Sequence, residues 1–250
     1  MASLKQEVFV CIDCETTGLD IQKDRIIEVA CVLFTLEGII DEYETLINPE
    51  CEISEASLAI HHIDASMLQD KPKIAHILPK LLHFIDTHTI VGHGIAFDID
   101  IIQKAATDAN ITSRLRECLS IDTLRLARHY GDSPNNSLAQ LARHFNVEID
   151  GMAHRAMVDV KMNIEVFRHL VRRYKTTEEV FATLSRPIKM KYIPLGKYKG
   201  RLFSEVPLQY LQWASRLDFD PDLMYSIQLE LKKRKAGGQF SQATNPFMGL

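Results

Sequence analysis

Asp13 and Glu15 stand two apart in Cys11-Ile12-Asp13-Cys14-Glu15-Thr16-Thr17-Gly18. Asp98 closes Val91-Gly92-His93-Gly94-Ile95-Ala96-Phe97-Asp98, and His154 precedes Asp159 by five residues. Carboxylates drawn together repel one another and raise each other's pKa, so such a group is stable only with cations among them. Oxygen-preferring Mg²⁺ or Mn²⁺ is the expected occupant. Two such cations about 4 Å apart promote attack of water on a phosphodiester and neutralise the charge that builds on its oxygens. An imidazole with a pKa near ~6.5, placed at His154, suits removal of a proton from the attacking water. The five residues have the layout of a two-metal nuclease.

These residues need elements that bring them together. Residues 8–12 are a short apolar run ending in a Thr-Thr-Gly turn and read as a central strand. On a strand, positions 13 and 15 leave the same face, so one segment offers two ligands. Residues 26–36 and 39–47 are apolar and β-branched, joined across Glu37-Gly38, and read as a hairpin. Residues 71–87 carry Ile74, Ile77, Leu78, Leu81, Leu82 and Ile85 at helical spacing. Short strands at 89–91 and 119–121 each precede a helix, at 97–109 and 123–130, and Ser137 is a candidate cap for a helix over 138–145. Residues 153–174 form a long amphipathic helix with Val158, Met162, Val166 and Leu170 as its buried stripe. Strands first, then strands alternating with helices, predict an α/β architecture with a mixed central sheet flanked by helices.

The bulk composition is that of an ordinary globular protein: 250 residues, 46% hydrophobic and 25% charged. The N-terminus has no apolar stretch of signal-peptide length, and Glu28 interrupts the best apolar run, residues 26–34. A cytoplasmic protein without membrane contact is expected. The five cysteines are an odd number, and no second pair follows Cys11-x-x-Cys14, so reduced thiols buried on a strand are the expected reading. The net charge of −4 conceals an asymmetry. Residues 1–185 carry 18 basic and 28 acidic side chains, whereas 186–250 carry 11 and 5. The basic remainder is a source of the phosphate attraction that the acidic part lacks. Six further histidines, His76, His83, His88, His129, His144 and His169, fall on helices or their edges and read as surface or packing residues.

In its order of motifs the chain resembles the DEDDh 3′→5′ exonucleases, the DnaQ-like group that includes the DNA polymerase III epsilon proofreading subunit and ribonuclease T. The resemblance spans about residues 7–175 with all five motif positions filled. It implies a ribonuclease-H-like fold, with Asp13 shared by both metals, Glu15 and Asp159 on the nucleophile side, Asp98 in support and His154 as general base. It also implies that Thr16, Thr17, Gly18 and Leu19 grip the terminal nucleotide, with His61 and His93 completing the substrate-binding set. Arg155, adjacent to His154, is expected to point elsewhere and is considered only as a phosphate contact. Two positions depart from the pattern: His62 stands for a glycine in Ile60-His61-His62-Ile63-Asp64, and Gly94 for an asparagine after His93. The expected partners are single-stranded nucleic acid or 3′ ends, DNA ahead of RNA, and a DNA polymerase or other replication or repair protein. The competing readings are a ribonuclease T-like exoribonuclease and a non-catalytic nucleic-acid-binding or polymerase scaffold subunit.

The expected domains are the exonuclease at 1–183, a linker at 184–190, a small basic α+β module at 191–235 and an unstructured tail at 236–250. In the module, Lys189, Lys191, Lys197, Lys199 and Arg201 interleave with Tyr192, Tyr198 and Phe203, a mixture suited to phosphate attraction and base stacking. Tyr210, Leu211 and Trp213 read as its core.

Overall fold

A computed structural model describes residues 3–133, 135–148 and 154–243, with side chains up to 236. Five strands, β1 (Phe9–Thr16), β2 (Ile26–Phe34), β3 (Ile39–Leu46), β4 (Thr89–Gly92) and β5 (Ser120–Asp122), form one sheet in the order β3-β2-β1-β4-β5. The first three pair antiparallel, and β4 and β5 run parallel to β1. This is the mixed sheet expected from the sequence, in a ribonuclease-H-like arrangement.

Strand parity divides the interior into two layers. Phe9 and Cys11 of β1 face a core built on α5 (Thr123–Tyr130), α6 (Leu138–His144), α7 (Ala156–Leu170) and α8 (Thr177–Leu184). Val10 and Ile12 face the opposite core, built on α3 (Ile74–Ile85) and α4 (Ala96–Asp108). Phe9, Phe34 and Phe167 lock α7 to β1 and β2, with ring centroids 5.3–5.9 Å apart, within the range of edge-to-face aromatic pairing. Of two short helices, α1 (Glu55–His61) starts beside the turn after β1, where the Ser54 N–H donates to the Thr17 carbonyl, and α2 (Ala65–Leu68) packs through Leu68 on Ile27 of β2.

Helix α7 begins later and ends earlier than its apolar spacing predicts, and Ala153 lies outside the described residues. Val166 and Leu170 are buried as expected, but Val158 and Met162 are only half-buried. Val160, Ile164 and Phe167 fill the core instead, because α7 is packed by β1 and β2 on one side and by α5 and α6 on another, which needs a band wider than one stripe.

The C-terminal module has its own small core of Met190, Ile193, Phe203, Val206, Leu211, Ala214, Leu223 and Ile227. It consists of α9 (Leu208–Ala214), α10 (Pro221–Ala243) and a single bridge between Tyr192 and Leu202, with Ile193 and Gly200 closing a tight turn. Leu211 is buried as expected, but Trp213 is 53% exposed, so it is no core residue. Residues 184–190 are packed rather than a free linker: Ile188 is buried in the α7 core and Met190 in the module core. The module is joined to α5 through Asp222, only 1% exposed. Its carboxylate accepts from Arg125 Nε and Nη2 (3.0 Å each), Arg128 Nη1 (2.9 Å) and the Ile188 N–H (2.9 Å). Burial pushes the Asp222 carboxyl up, but these donors outweigh it and hold the group below its ordinary value. The last helix runs to Ala243, through the first residues of the expected tail, and 244–250 lie outside the described residues. Among the described residues no helix is long and apolar enough to cross a membrane.

Candidate active site

Asp13 and Glu15 extend the α7-facing side of β1 beyond Phe9 and Cys11, at the carboxyl end of the strand. Asp159 sits in the first turn of α7, where the helix dipole favours a negative charge. One carboxylate oxygen from each of Asp13, Glu15 and Asp159 lies within 4.8 Å of the others. Asp98 arrives from the other layer, in the first turn of α4, and is 7% exposed. Its Oδ1 accepts the Cys14 N–H at 2.9 Å, between the two β1 acids. The sheet parity that joins Asp13 and Glu15 to Asp159 therefore places Asp98 beside the trio and outside it.

The electrostatics match a set of acids short of positive charge. Burial, then the charges of Asp98, Asp159 and Glu15, push the Asp13 carboxyl far up. Burial, then Asp159 and Glu28, push Glu15 up to about 7. Asp159 is raised by burial against the opposing His154 charge, and Asp98 is pushed up by burial despite the Cys14 N–H. Four hard oxygen donors in this state fit divalent cations of the Mg²⁺ or Mn²⁺ kind and not soft metals. The nearby cysteines offer no thiolate alternative, since burial raises Cys11, Cys14 and Cys31.

His154 lies exposed at the entrance to α7, with a left-handed backbone (φ 64°). Arg155, considered in the sequence only as a phosphate contact that would point elsewhere, is bonded to Glu28. Its Nε lies 3.1 Å from both carboxylate oxygens of Glu28, and its Nη2 donates at 2.6 Å. Glu28 is fully buried on β2 and also accepts the Ala156 N–H at 2.9 Å. This pair, missed in the sequence, fixes the start of α7 and with it Asp159 and His154. Its one signal was Glu28 itself, a single acid in an otherwise apolar strand.

The turn after β1 closes one end of a cleft of about 530 Å³ that Asp13, Glu15 and Asp98 also line. Thr17 Oγ1 donates to Asp24 Oδ1 (2.9 Å), and the Asp20 N–H donates to Asp24 Oδ2 (2.7 Å). A Cβ on Gly18 would come within 2.4 Å of that carboxylate, so a larger residue would have to push Asp24 from its bonds to Thr17 and Asp20. The turn holds Leu19 out over the cleft, 86% exposed. His61 lines the cleft with Nδ1 accepting from the Ile63 N–H at 3.0 Å, while its buried Nε2 has no partner among the described residues. Burial holds the His61 ring below its usual pKa, and with Nδ1 accepting, the ring proton of the neutral form sits on Nε2. His93 Nδ1 lies 3.0 Å from Thr123 Oγ1.

Both departures from the family pattern keep the backbone intact. His62 takes the left-handed conformation (φ 58°) that ends α1, the position where glycine is ordinarily found. Gly94 has φ +74°, a conformation open to asparagine as well as glycine, and its N–H donates to Asp122 Oδ1 at 2.9 Å. Cavity size does not single out this site: an equal hollow of about 530 Å³ lies between the N-terminal segment and α7, lined by Lys5, Arg168 and Arg172 and without a cluster of acids.

Residues 10–167 match the RNase_T family model, described as exonuclease. Residues 182–231 match a second model, described as a putative quorum-sensing-regulated virulence factor. A DNA polymerase III PolC-type protein of Caldanaerobacter subterraneus subsp. tengcongensis is 36% identical over 201 residues, 78% of this chain. The chain spans only 14% of that relative's length. The DNA polymerase III subunit epsilon of Aquifex aeolicus is 33% identical over 166 residues, covering 66% of this chain and 81% of the relative. Among solved structures, exonuclease X in complex with 5′-overhanging duplex DNA superposes with a TM-score of 0.57 at 24% identity, over 70% of this chain and 98% of that one. An E. coli ExoI–ssDNA complex gives a TM-score of 0.61 at 20% identity, over 72% and 43%. Motifs, topology and family match agree, and the chain belongs to the DEDDh exonucleases.

Proposed function

We propose that this protein is a divalent-cation-dependent 3′→5′ exonuclease that removes nucleotides from the 3′ end of DNA as nucleoside 5′-monophosphates. The observation that carries the reading is the convergence of Asp13, Glu15 and Asp159 within 4.8 Å, in the family's order. Asp13, Glu15 and Asp159 would hold two cations, Mg²⁺ or Mn²⁺, with Asp98 supporting them from the α4 side. Bound there, the cations supply water activation and neutralise charge on the phosphoryl and leaving oxygens.

The chain's own residues do the rest. The Thr16–Leu19 turn receives the terminal nucleotide at the closed end of the cleft, with the His61 ring in its wall. Leu19 stacks on the last base, and His93 lines the opposite side. His154, exposed at the start of α7, takes the proton from the attacking water. Water oxygen bonds to phosphorus as the bond to the upstream 3′ oxygen breaks; that oxygen takes a proton from solvent, leaving a 3′-hydroxyl on the strand and a 5′-phosphate on the released nucleotide. DNA is favoured by the epsilon subunit and by the DNA held in the exonuclease X and ExoI complexes. The epsilon likeness also supports a DNA polymerase as partner.

The test is a gel assay on matched 5′-labelled single-stranded DNA and RNA with Mg²⁺, Mn²⁺ or EDTA. A metal-dependent ladder shortening from the 3′ end, absent in Asp13→Ala and Asp159→Ala, is expected. His154→Ala should slow turnover by about 10²–10⁴ and spare cation binding. Faster cleavage of RNA would reassign the substrate, and no ladder on either polymer would refute the reading.

A further inference from the structure

A second cleft, of about 450 Å³, opens between the loop after α5 and the first residues of the C-terminal module. His93 lines both this cleft and the one that carries the acids, so the two meet at that residue. The module contributes Lys191, Tyr192 and Lys199, both lysines being exposed. The Tyr192–Leu202 bridge and the Gly200 N–H, which donates to the Ile193 carbonyl, hold Tyr192 and Lys199 on this wall. Lys191 Nζ lies 5.3 Å from the centre of the Tyr192 ring.

Charge separates the two clefts. Among the described residues no acid lines the second one, in a chain that has more acids than bases. Arg128, also in its wall, is neutralised by Asp220 and Asp222, which among the described residues leaves the two lysines as its uncompensated charge. Arg128 Nε and Asn136 Oδ1 are buried in the same wall without a hydrogen-bond partner among the described residues. The Asp222 contacts fix the module to α5, so the cleft is part of the folded protein.

We propose that this cleft binds the single strand upstream of the scissile phosphodiester, with Lys191 and Lys199 on its phosphates and Tyr192 against a base. The inference deepens the exonuclease reading and rests on it. A strand whose last nucleotide enters the acidic cleft leaves past His93 into a wall that is cationic and aromatic, the combination that holds single strands regardless of sequence. The module thus offsets the repulsion a polyanion meets at an acidic site.

The test uses the full chain with a long oligothymidylate and its RNA counterpart, and a dinucleotide too short to reach the second cleft. Lys191→Ala with Lys199→Ala should raise KM for the long strand about tenfold while kcat holds. The slope of log(kcat/KM) against log[salt] should fall by about 1.4, at ~0.7 per phosphate contact. Tyr192→Ala should raise KM about tenfold as well, with Tyr192→Phe retaining the original value. Anisotropy of the labelled strand in EDTA reads the same contacts without turnover, so the cleft is tested even if the exonuclease reading fails. Failure of the unaltered protein to cut either the dinucleotide or the long strand would refute that reading alone. An unchanged KM, anisotropy and salt slope in the double lysine variant would overturn the inference.

Discussion

Replacing Arg155 by alanine separates two roles for this residue. As a phosphate contact it would affect KM and leave stability alone. The structure instead makes it the partner of Glu28, a carboxylate with no solvent exposure that receives both Nε and Nη2. Removing one member of a buried pair typically costs about 3–5 kcal/mol, because the other charge is left uncompensated. Two features reduce that here: the Arg155 side chain is 32% exposed, and the Ala156 N–H still donates to Glu28. A loss of about 2–3 kcal/mol is therefore expected, a fall in Tm of roughly 4–12 °C for a chain of this size. Since the pair holds the start of α7, cleavage should fall through kcat as Asp159 and His154 lose their positions. Adding Glu28→Gln should restore part of the stability, because a neutral amide tolerates burial beside the Ala156 N–H better than an unpaired carboxylate. Thermal melts and steady-state kinetics on the single and double variants decide the matter. A normal Tm with a raised KM in Arg155→Ala would refute this assignment and return the residue to the substrate.

The raised acids carry a pH signature. Glu15 is pushed up to about 7 from an ordinary value near 4.5, so the folded cation-free protein holds a proton that the unfolded chain has lost. In EDTA its contribution is full below pH ~4.5 and is lost as pH rises through about 7, up to ~3 kcal/mol; Tm should fall between pH 5 and 8, and Mg²⁺ should remove the slope. His62→Gly relieves a left-handed non-glycine residue, and the gain of ~1–2 kcal/mol less ~0.5–1 for glycine entropy should raise Tm by about 2 °C. Asp222→Ala leaves Arg128, whose side chain is 10% exposed, without its buried partner and should cost about 3 kcal/mol; limited proteolysis should then cut near residues 184–190, which resist in the unaltered protein.

Legibility in the sequence followed the range of the forces involved. The i, i+2 placement of Asp13 and Glu15 is a local property of a strand, and their shared face is what brings them to Asp159. Helix α5 spans the expected 123–130, because its apolar spacing and the Asp122 cap, 2.8 Å from the Leu124 N–H, both lie within a few residues. Glu28 and Arg155 are 127 positions apart, and no periodicity joins them. Asp98 belonged to the right cluster by motif, but its approach from the opposite layer depends on how β4 and α4 cross the sheet. The exposure of Trp213 and the packing of Ile188 likewise depend on where the module meets the larger domain, which local pattern does not encode.

Strand β1 outruns its neighbour. Its pairing with β4 ends at Cys11, while β2 follows it to Thr16, so the stretch that bears the acids has no strand on one side. A bare strand edge ordinarily invites another chain to add to it. Here Asp98 Oδ1 accepts the Cys14 N–H, so the ladder donor between the two acids is already occupied. A carboxylate that suits the site to cations therefore also closes an open strand edge. Asp98→Ala would free that donor, and a greater tendency to self-associate, not only loss of cleavage, is the expected companion of disarming the site at this residue.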